Sequence, residues 1–401
     1  MRQSRSGRRQ GRRISGLAVL VCVGVVALGG SVLSEGLARL RPRDRPALSA
    51  EQSAPVWDAA AAEARRTLRT EPLSARAFSR LGQVAALKGD EAGADLMMAA
   101  AARRSLRDAP SQSWILARAL ERGDDRTAFA AFDVLMRRRP DLFAAFAPAV
   151  FGELERRPQA VPALASRLAL SPAWRPQFVT TYSRNAENPQ NAYALLQALR
   201  AAEAPPTDAE LQVYIDRLVK ARSYVAAYVA WVQHQAAGDE ATRSADGGVH
   251  DGGFEGPPAL APFGWTLRSG DGAAARRGLA ADGSGGVLQA SAVGGLSRRV
   301  VAEQMLVLAP GAYALTGRVW VRSGEPEGRF IWTVRCAGGA ELASRPEADA
   351  GRERWTPFAV ALEIPSDCPA QVLSLEARPG ASLAQAEVDY DQLAVARKAG
   401  R

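Results

Sequence analysis

Very few residues of this chain have the types and spacing that bond-making chemistry needs. Its 401 residues include two histidines, His234 and His250, and three cysteines, Cys22, Cys336 and Cys368. That inventory excludes a histidine-rich metal site, a zinc-finger array and a serine or cysteine triad that draws on histidines elsewhere. GxSxG, a Walker loop, HExxH and CxxC are absent from the sequence. The carboxylate pair Glu387 and Asp389 is ordinary alternation on a strand. The chain reads as a non-enzyme, and the chemistry to look for is cross-linking and binding.

Two constellations remain. Cys336 and Cys368 are the only cysteines outside the apolar N-terminal stretch. In an oxidising compartment they are expected to pair, closing a loop of about 30 residues worth roughly 2–4 kcal/mol. The second constellation is a set of outward side chains on two β-patterned segments. In 312–321, Tyr313, Leu315, Val319 and Val321 form the inward row, which turns Arg318 and Trp320 outward. In 329–336, Phe330, Trp332, Val334 and Cys336 face inward and Arg329, Thr333 and Arg335 outward. An indole face stacks on a sugar ring, and a guanidinium grips a carboxylate with two bonds. If the two segments pair, Trp320, Arg318, Arg329, Thr333 and Arg335 form one face suited to an acidic polysaccharide. If they go to opposite sheets, the group is split. Trp265 and Trp332 fall on inward rows and belong to the core. His250 reads as a solvated loop residue, and His234 as a helix C-terminal residue.

The elements that must position these residues follow from periodicity. From 253 to 397 apolar residues alternate, and strands are expected at 262–268, 286–293, 303–308, 312–321, 329–336, 356–364, 370–377 and 385–396, separated by Gly/Pro/Asp clusters. One inward face per strand is what a two-sheet sandwich requires. A bulge is expected near 391, because Val388 and Tyr390 share one parity and Leu393 and Val395 the other. Residues 238–252 are Gly/Asp-rich and read as a hinge. From 55 to 237 the apolar spacing is helical, with a 34-residue period: Gly89-Asp90 recurs as Gly123-Asp124, Ala94 as Ala128, and Met98 as Phe132. The two clear units are 75–108 and 109–142. Further helices are expected at 142–155, 159–170, 173–186, 189–202, 207–221 and 223–236.

The N-terminus carries most of the charge. Arginines at 2, 5, 8, 9, 12 and 13, and again at 39, 41, 43 and 45, account for nearly all of the net +9. The folded parts are therefore close to neutral, which argues against nucleic acid. Residues 14–34 contain no charge and span about 32 Å as a helix, enough for a hydrocarbon core of about 30 Å. The arginine tail 1–13 stays cytoplasmic by the positive-inside rule. The linker 35–54 and everything after it would then lie in the periplasm, anchored to a bacterial inner membrane. A cleaved signal peptide is the alternative, with Ala27-Leu28-Gly29 as its cleavage site.

Two resemblances add to this reading. Phe78-x2-Leu81-Gly82-x2-Ala85, Ala94-x3-Met98, Ala128-x3-Phe132 and Pro140 resemble the tetratricopeptide family, which implies helix pairs stacked into a protein-docking surface. Gly252-Gly253-Phe254-Glu255, Phe263-Gly264-Trp265, Pro310-Gly311-x-Tyr313-x-Leu315-x-Gly317-Arg318, Trp355-x2-Phe358 and Val388-Asp389-Tyr390-Asp391-Gln392-Leu393 resemble the galactose-binding-like jelly-roll carbohydrate-binding modules. That resemblance implies a structural calcium on Glu255 and Asp391, although Gln392 stands where the family has a second aspartate. Together these features describe a membrane-anchored envelope protein that docks a partner through its repeats and contacts an exported or surface polysaccharide through its sandwich. The competing expectation is a protein-only assembly scaffold.

Overall fold

The computed structural model describes residues 50–235, 248–293, 297–325, 329–346, 354–379 and 385–398. The expected tail 1–13, the apolar segment 14–34, residues 35–49 of the expected linker and most of the hinge lie outside them; residues 50–54, expected as linker, are helical. Among the described residues no helix is long and apolar enough to cross a membrane. The chain divides into two compact units between Thr207 and Asp208.

Among its described residues the first unit is all helical: α1 (Ala50–Thr70), α2 (Ala75–Leu87), α3 (Glu91–Arg104), α4 (Ala109–Arg122), α5 (Asp125–Arg138), α6 (Phe143–Arg156), α7 (Val161–Leu168), α8 (Arg175–Asn185) and α9 (Pro189–Ala201). Helices α2/α3 and α4/α5 are the two pairs that the 34-residue period marks out. Gly89 and Gly123 take φ of 78° and 72°, which ends each first helix in a left-handed turn. Asp90 and Asp124 then cap the second helices, accepting from Gly93 N (2.9 Å) and Thr127 N (3.1 Å). Each such cap contributes about 1 kcal/mol. Ala94 and Ala128, both fully buried, allow close helix approach, and the buried Met98 and Phe132 fill the space one turn later. A Cβ on Gly82 would come within 2.9 Å of Met98, so α2 and α3 touch where the glycine leaves room. Further along, Phe132, Trp174 and Phe178 pack edge-to-face, and Trp174 Nε1 donates to Asp133 (2.8 Å).

The second unit starts with a helical hairpin, α10 (Asp208–Lys220) and α11 (Tyr224–Gln235), followed, among the described residues, by eleven strands: β1 (Thr266–Leu267), β2 (Ser269–Gly270), β3 (Ala273–Leu279), β4 (Gly286–Ala292), β5 (Arg299–Leu306), β6 (Gly311–Ser323), β7 (Phe330–Cys336), β8 (Glu341–Pro346), β9 (Thr356–Ile364), β10 (Gln371–Ala377) and β11 (Ala386–Arg397). A five-stranded sheet in the order β1-β5-β10-β7-β8 faces a six-stranded sheet in the order β2-β3-β4-β11-β6-β9. Trp265, Trp332, Tyr390, Phe254, Phe358 and the inward rows of valine and leucine form the core. The expected bulge is present: β11 slips against β6 between Asp391 and Ala394, with Gln392 at φ 55°. Strands β2, β3 and β8 were not expected. β3 reads AAARRGL, and alanine and arginine show no apolar alternation although Ala273 and Ala275 are core residues.

The hairpin belongs to this unit. Trp231 of α11 is 2% exposed and donates its Nε1 to Leu260 O (3.0 Å). Its ring lies 5.8 Å from that of Phe263, and Gln212 of α10 donates to Ala261 O (2.8 Å). His234 and Asp208 pair at 2.8 Å across the hairpin. The expectation of a solvated His250 fails. The residue is buried, its ring meets Trp231 edge-on at 4.9 Å, and its backbone N–H and C=O both bond the Gln304 side chain (2.9 Å each). Glycine-rich flanks suggested solvent, but the aromatic surface of α11 lies on this segment.

Candidate functional site

The five residues proposed for a glycan face are not brought together, because β6 and β7 belong to opposite sheets. Strand β6 ends at Ser323 in the six-stranded sheet and the next strand, β7, lies in the five-stranded one, so outward on β6 and outward on β7 are opposite sides of the sandwich. Arg318 and Trp320 do lie on the outer side of the six-stranded sheet, partly exposed. Arg329 is 2% exposed and donates to Ala292 O (2.9 Å), tying the ends of the two sheets together. Thr333 is fully buried and bonds Ser374 Oγ (2.8 Å). Arg335 lies on the outer side of the five-stranded sheet, where it meets Glu341 (2.9 Å) and Glu376 (3.4 Å).

Around Trp320 the structure assembles a different set. The second tryptophan is Trp355, just before β9, and the two rings meet at 5.8 Å with an interplanar angle of 66°. The Arg318 guanidinium lies 4.4 Å from the centre of the Trp355 ring, a cation–π arrangement. Trp355 donates its Nε1 to Asp282 Oδ2 (2.9 Å) in the turn after β3. The hydrogen bonds from Ser284, and after them the one from Trp355, hold the Asp282 carboxyl below its ordinary range. Register places Asp389 opposite Trp320 and Asp391 opposite Arg318. Arg322 donates to both oxygens of Asp389 (2.7 and 2.6 Å) and to Leu279 O (2.6 Å). Asp389 has no exposed surface, and burial raises its pKa, with Arg322 offsetting part of the rise. The result is a half-exposed indole pair bordered by guanidinium groups that are already ion-paired. Sequence parity located Trp320. Trp355 was legible only as part of a family pattern, since it precedes its strand and the sheet order alone carries it beside Trp320.

The opposite outer face, that of the five-stranded sheet, is an ion-pair network without tryptophan. Glu376 is 3% exposed and takes Arg298 (2.6 Å), Arg378 (2.9 Å) and Arg335. Burial pushes its carboxyl up, but the hydrogen bonds from Arg298 and Arg378 outweigh that and leave it below its ordinary value.

The calcium pair does not fit its expected role. Glu255 and Asp391 do flank one point, since a Cβ on Gly253 would lie 3.7 Å from Asp391 Oδ1 and 3.8 Å from Glu255 Cγ. Three of their four oxygens accept hydrogen bonds within the protein, and Glu255 is exposed. Asp391 Oδ2 accepts from Arg318 Nε (3.0 Å) and Nη2 (2.5 Å), and Oδ1 accepts from Gln392 N (2.6 Å). Glu255 Oε1 accepts from Gly286 N (2.7 Å). A hard cation needs several free oxygens. Among the described residues no group of three or more His, Cys, Asp or Glu side chains could hold a metal ion.

The disulfide forms as expected: Cys336 and Cys368 are bonded, with their Cα atoms 5.5 Å apart. It joins the end of β7 to the connection between β9 and β10. In the helical unit, a cleft of about 350 Å³ is lined by Arg126, Pro162, Ala163, Ser166, Arg167 and Leu170, at the start of α5 and along α7.

No protein-family model matches the sequence, and no curated protein matches it. Among solved structures, the chain is similar to a CBM4 carbohydrate-binding module at 14% identity, over 37% of this chain and 99% of that one, with a TM-score of 0.29. It is similar to the CBM22-1 xylan-binding domain from Paenibacillus barcinonensis at 17% identity, over 37% and 93%, with a TM-score of 0.27. It is also similar to TmCBM61, solved with β-1,4-galactotriose, at 16% identity, over 39% and 97%, with a TM-score of 0.26. The chain thus pairs a helical, repeat-like unit with a two-sheet unit weakly similar to carbohydrate-binding β-sandwiches.

Proposed function

We propose that this chain is a membrane-anchored, non-enzymatic protein of the bacterial periplasm that docks a partner protein through its helical unit and an acidic envelope or exported polysaccharide through the outer face of its six-stranded sheet. The apolar run 14–34 after an arginine-rich tail supports the anchor. The single observation that carries the glycan reading is the half-exposed Trp320–Trp355 pair with Arg318 and Arg322 beside it. Tryptophans kept out of the core, on a sheet face, offer the flat apolar surface that a pyranose ring covers. Affinity electrophoresis in gels containing acidic or neutral polysaccharide tests this. Trp320→Ala and Trp355→Ala should each abolish retardation by the acidic polymer at a temperature where the variant is fully folded. Wild-type protein that runs unretarded in every acidic gel would defeat the reading.

A protein-only scaffold is the second reading, and one observation favours it. Arg318 and Arg322 are already paired with Asp391 and Asp389, which leaves little free charge for a sugar carboxylate. On that reading the tryptophan pair covers a protein surface, and cross-linking from position 320 captures a protein in cells stripped of polysaccharide.

A further inference from the structure

We propose that Arg318 is the built-in cation of the corner where the chain enters the sandwich, and that it holds this corner and Trp355 together without calcium.

The corner forms where residues 251–255 run along the bulge of β11. Leu393 N donates to Gly252 O (2.9 Å), and a Cβ on Gly252 would lie 1.8 Å from Leu393 O, so only glycine lets the two backbones meet. The approach sets Glu255 and Asp391 on either side of Gly253, with a third acid, Asp251, at the start of the segment. Asp251 and Asp391 are 6% and 7% exposed, and buried carboxylates without a positive partner are costly. The chain supplies two partners of its own. Arg277 binds Asp251 Oδ2 (2.5 Å) and Gly256 O (2.9 Å), and Arg318 binds Asp391 Oδ2 through two nitrogens. The remaining acid, Glu255, turns to the Gly286 N–H instead. At Asp391 Oδ2 a calcium ion would compete with the tethered Arg318 guanidinium.

A guanidinium does something here that an exchangeable ion could not. It is tethered, always charged, and planar, so it can bond a carboxylate along its edge and lie over an aromatic ring with its face. Arg318 does both, with Asp391 on one side and the Trp355 ring 4.4 Å away on the other. Trp355 in turn meets Trp320 and Asp282. Arg318 is therefore a positioning residue that couples the corner to the tryptophan pair.

The test uses the unliganded full chain. In wild type, thermal unfolding in excess calcium and in excess chelator should give the same melting temperature, and terbium should show no luminescence sensitised by tryptophan. Arg318→Met should lower the melting temperature by several degrees and, at a temperature where it is fully folded, weaken the near-ultraviolet circular dichroism of the coupled indoles. Arg318→Lys keeps the charge but not the fork, and should fall between the two. If Arg318→Met does not fold, Arg318→Lys carries the dichroism comparison. A chelator that lowers the wild-type melting temperature, or sensitised terbium emission from wild type, overturns the proposal. So does a folded Arg318→Met protein with wild-type dichroism.

Discussion

Replacing both Cys336 and Cys368 with alanine should cost the second unit about 3.7 kcal/mol. The two residues are 32 apart in sequence. Chain-entropy cost rises with the logarithm of loop length, and a loop of this size loses about 12 cal/mol/K in the unfolded chain, which is about 3.7 kcal/mol at 25 °C. The folded state has reasons to keep its register without the bridge. Gln371 donates to Cys368 O (2.9 Å) and accepts from Leu308 N (2.9 Å), and Ala337 N donates to Ala370 O (2.9 Å). All three contacts use backbone groups at 368, 308, 337 and 370, so alanine at 336 and 368 leaves them in place. The loss should therefore come mainly from a freer unfolded chain. In a unit of this size 1 kcal/mol moves the melting temperature by about 2–4 °C, so a fall of about 7–15 °C is expected. Urea unfolding of the full chain, followed by tryptophan emission, measures the free energy directly. A loss below about 1 kcal/mol would refute the loop-entropy reasoning, given the range of disulfide effects. Two alkylatable thiols in unreduced, denatured protein kept under oxidising conditions would refute the bridge itself.

Trp231→Ala should destabilise the second unit by about 3–5 kcal/mol, the usual cost of removing a buried large aromatic, because the ring joins α11 to His250 and Phe263. If α10 and α11 merely lie alongside, the urea midpoint of that unit will not move. Gly252→Ala should be at least as damaging as overpacking a core, about 1–3 kcal/mol or more, since its Cβ meets backbone that cannot yield. A variant as stable as wild type would mean that the 251–255 segment is free to shift. Glu376 has a folded pKa below its ordinary 4.5, so its contribution is present above pH 4.5 and is lost as pH falls through the lower folded value. Stability of wild type should drop over that acid range more steeply than that of Glu376→Gln; parallel curves would contradict the pairing with Arg298 and Arg378.

Much of this architecture could be read from residue order. Helix boundaries from α2 to α11 followed from apolar spacing, prolines and the Gly-Asp pairs at 89–90 and 123–124, because helix formation and capping are settled within a few residues of chain. The bulge of β11 was visible as a change of parity between Tyr390 and Leu393. The disulfide was legible because only two cysteines lie outside the apolar stretch. Strand β3 was hidden because alanine and arginine carry no alternation, and its pairing with β4 is what makes it a strand.

Pattern within a strand reports which side chains share a face; it does not report which strands share a sheet. Arg318 and Trp320 were correctly turned outward on β6, and Arg335 on β7, yet the chain changes sheets between them and puts the two faces on opposite sides of the molecule. The same non-local order brings β11 beside β6, so that Asp391, far along the chain, receives Arg318, and it brings Trp355 to Trp320. His250 became a buried residue for the same reason: α11, earlier in sequence, supplies the aromatic surface that covers it. Local sequence determined the helices, the strands with apolar alternation and the faces of those strands, because turns, caps and alternation act over a few residues. The partners across each face were decided by sheet order, because that order depends on how the whole set of strands buries one common core.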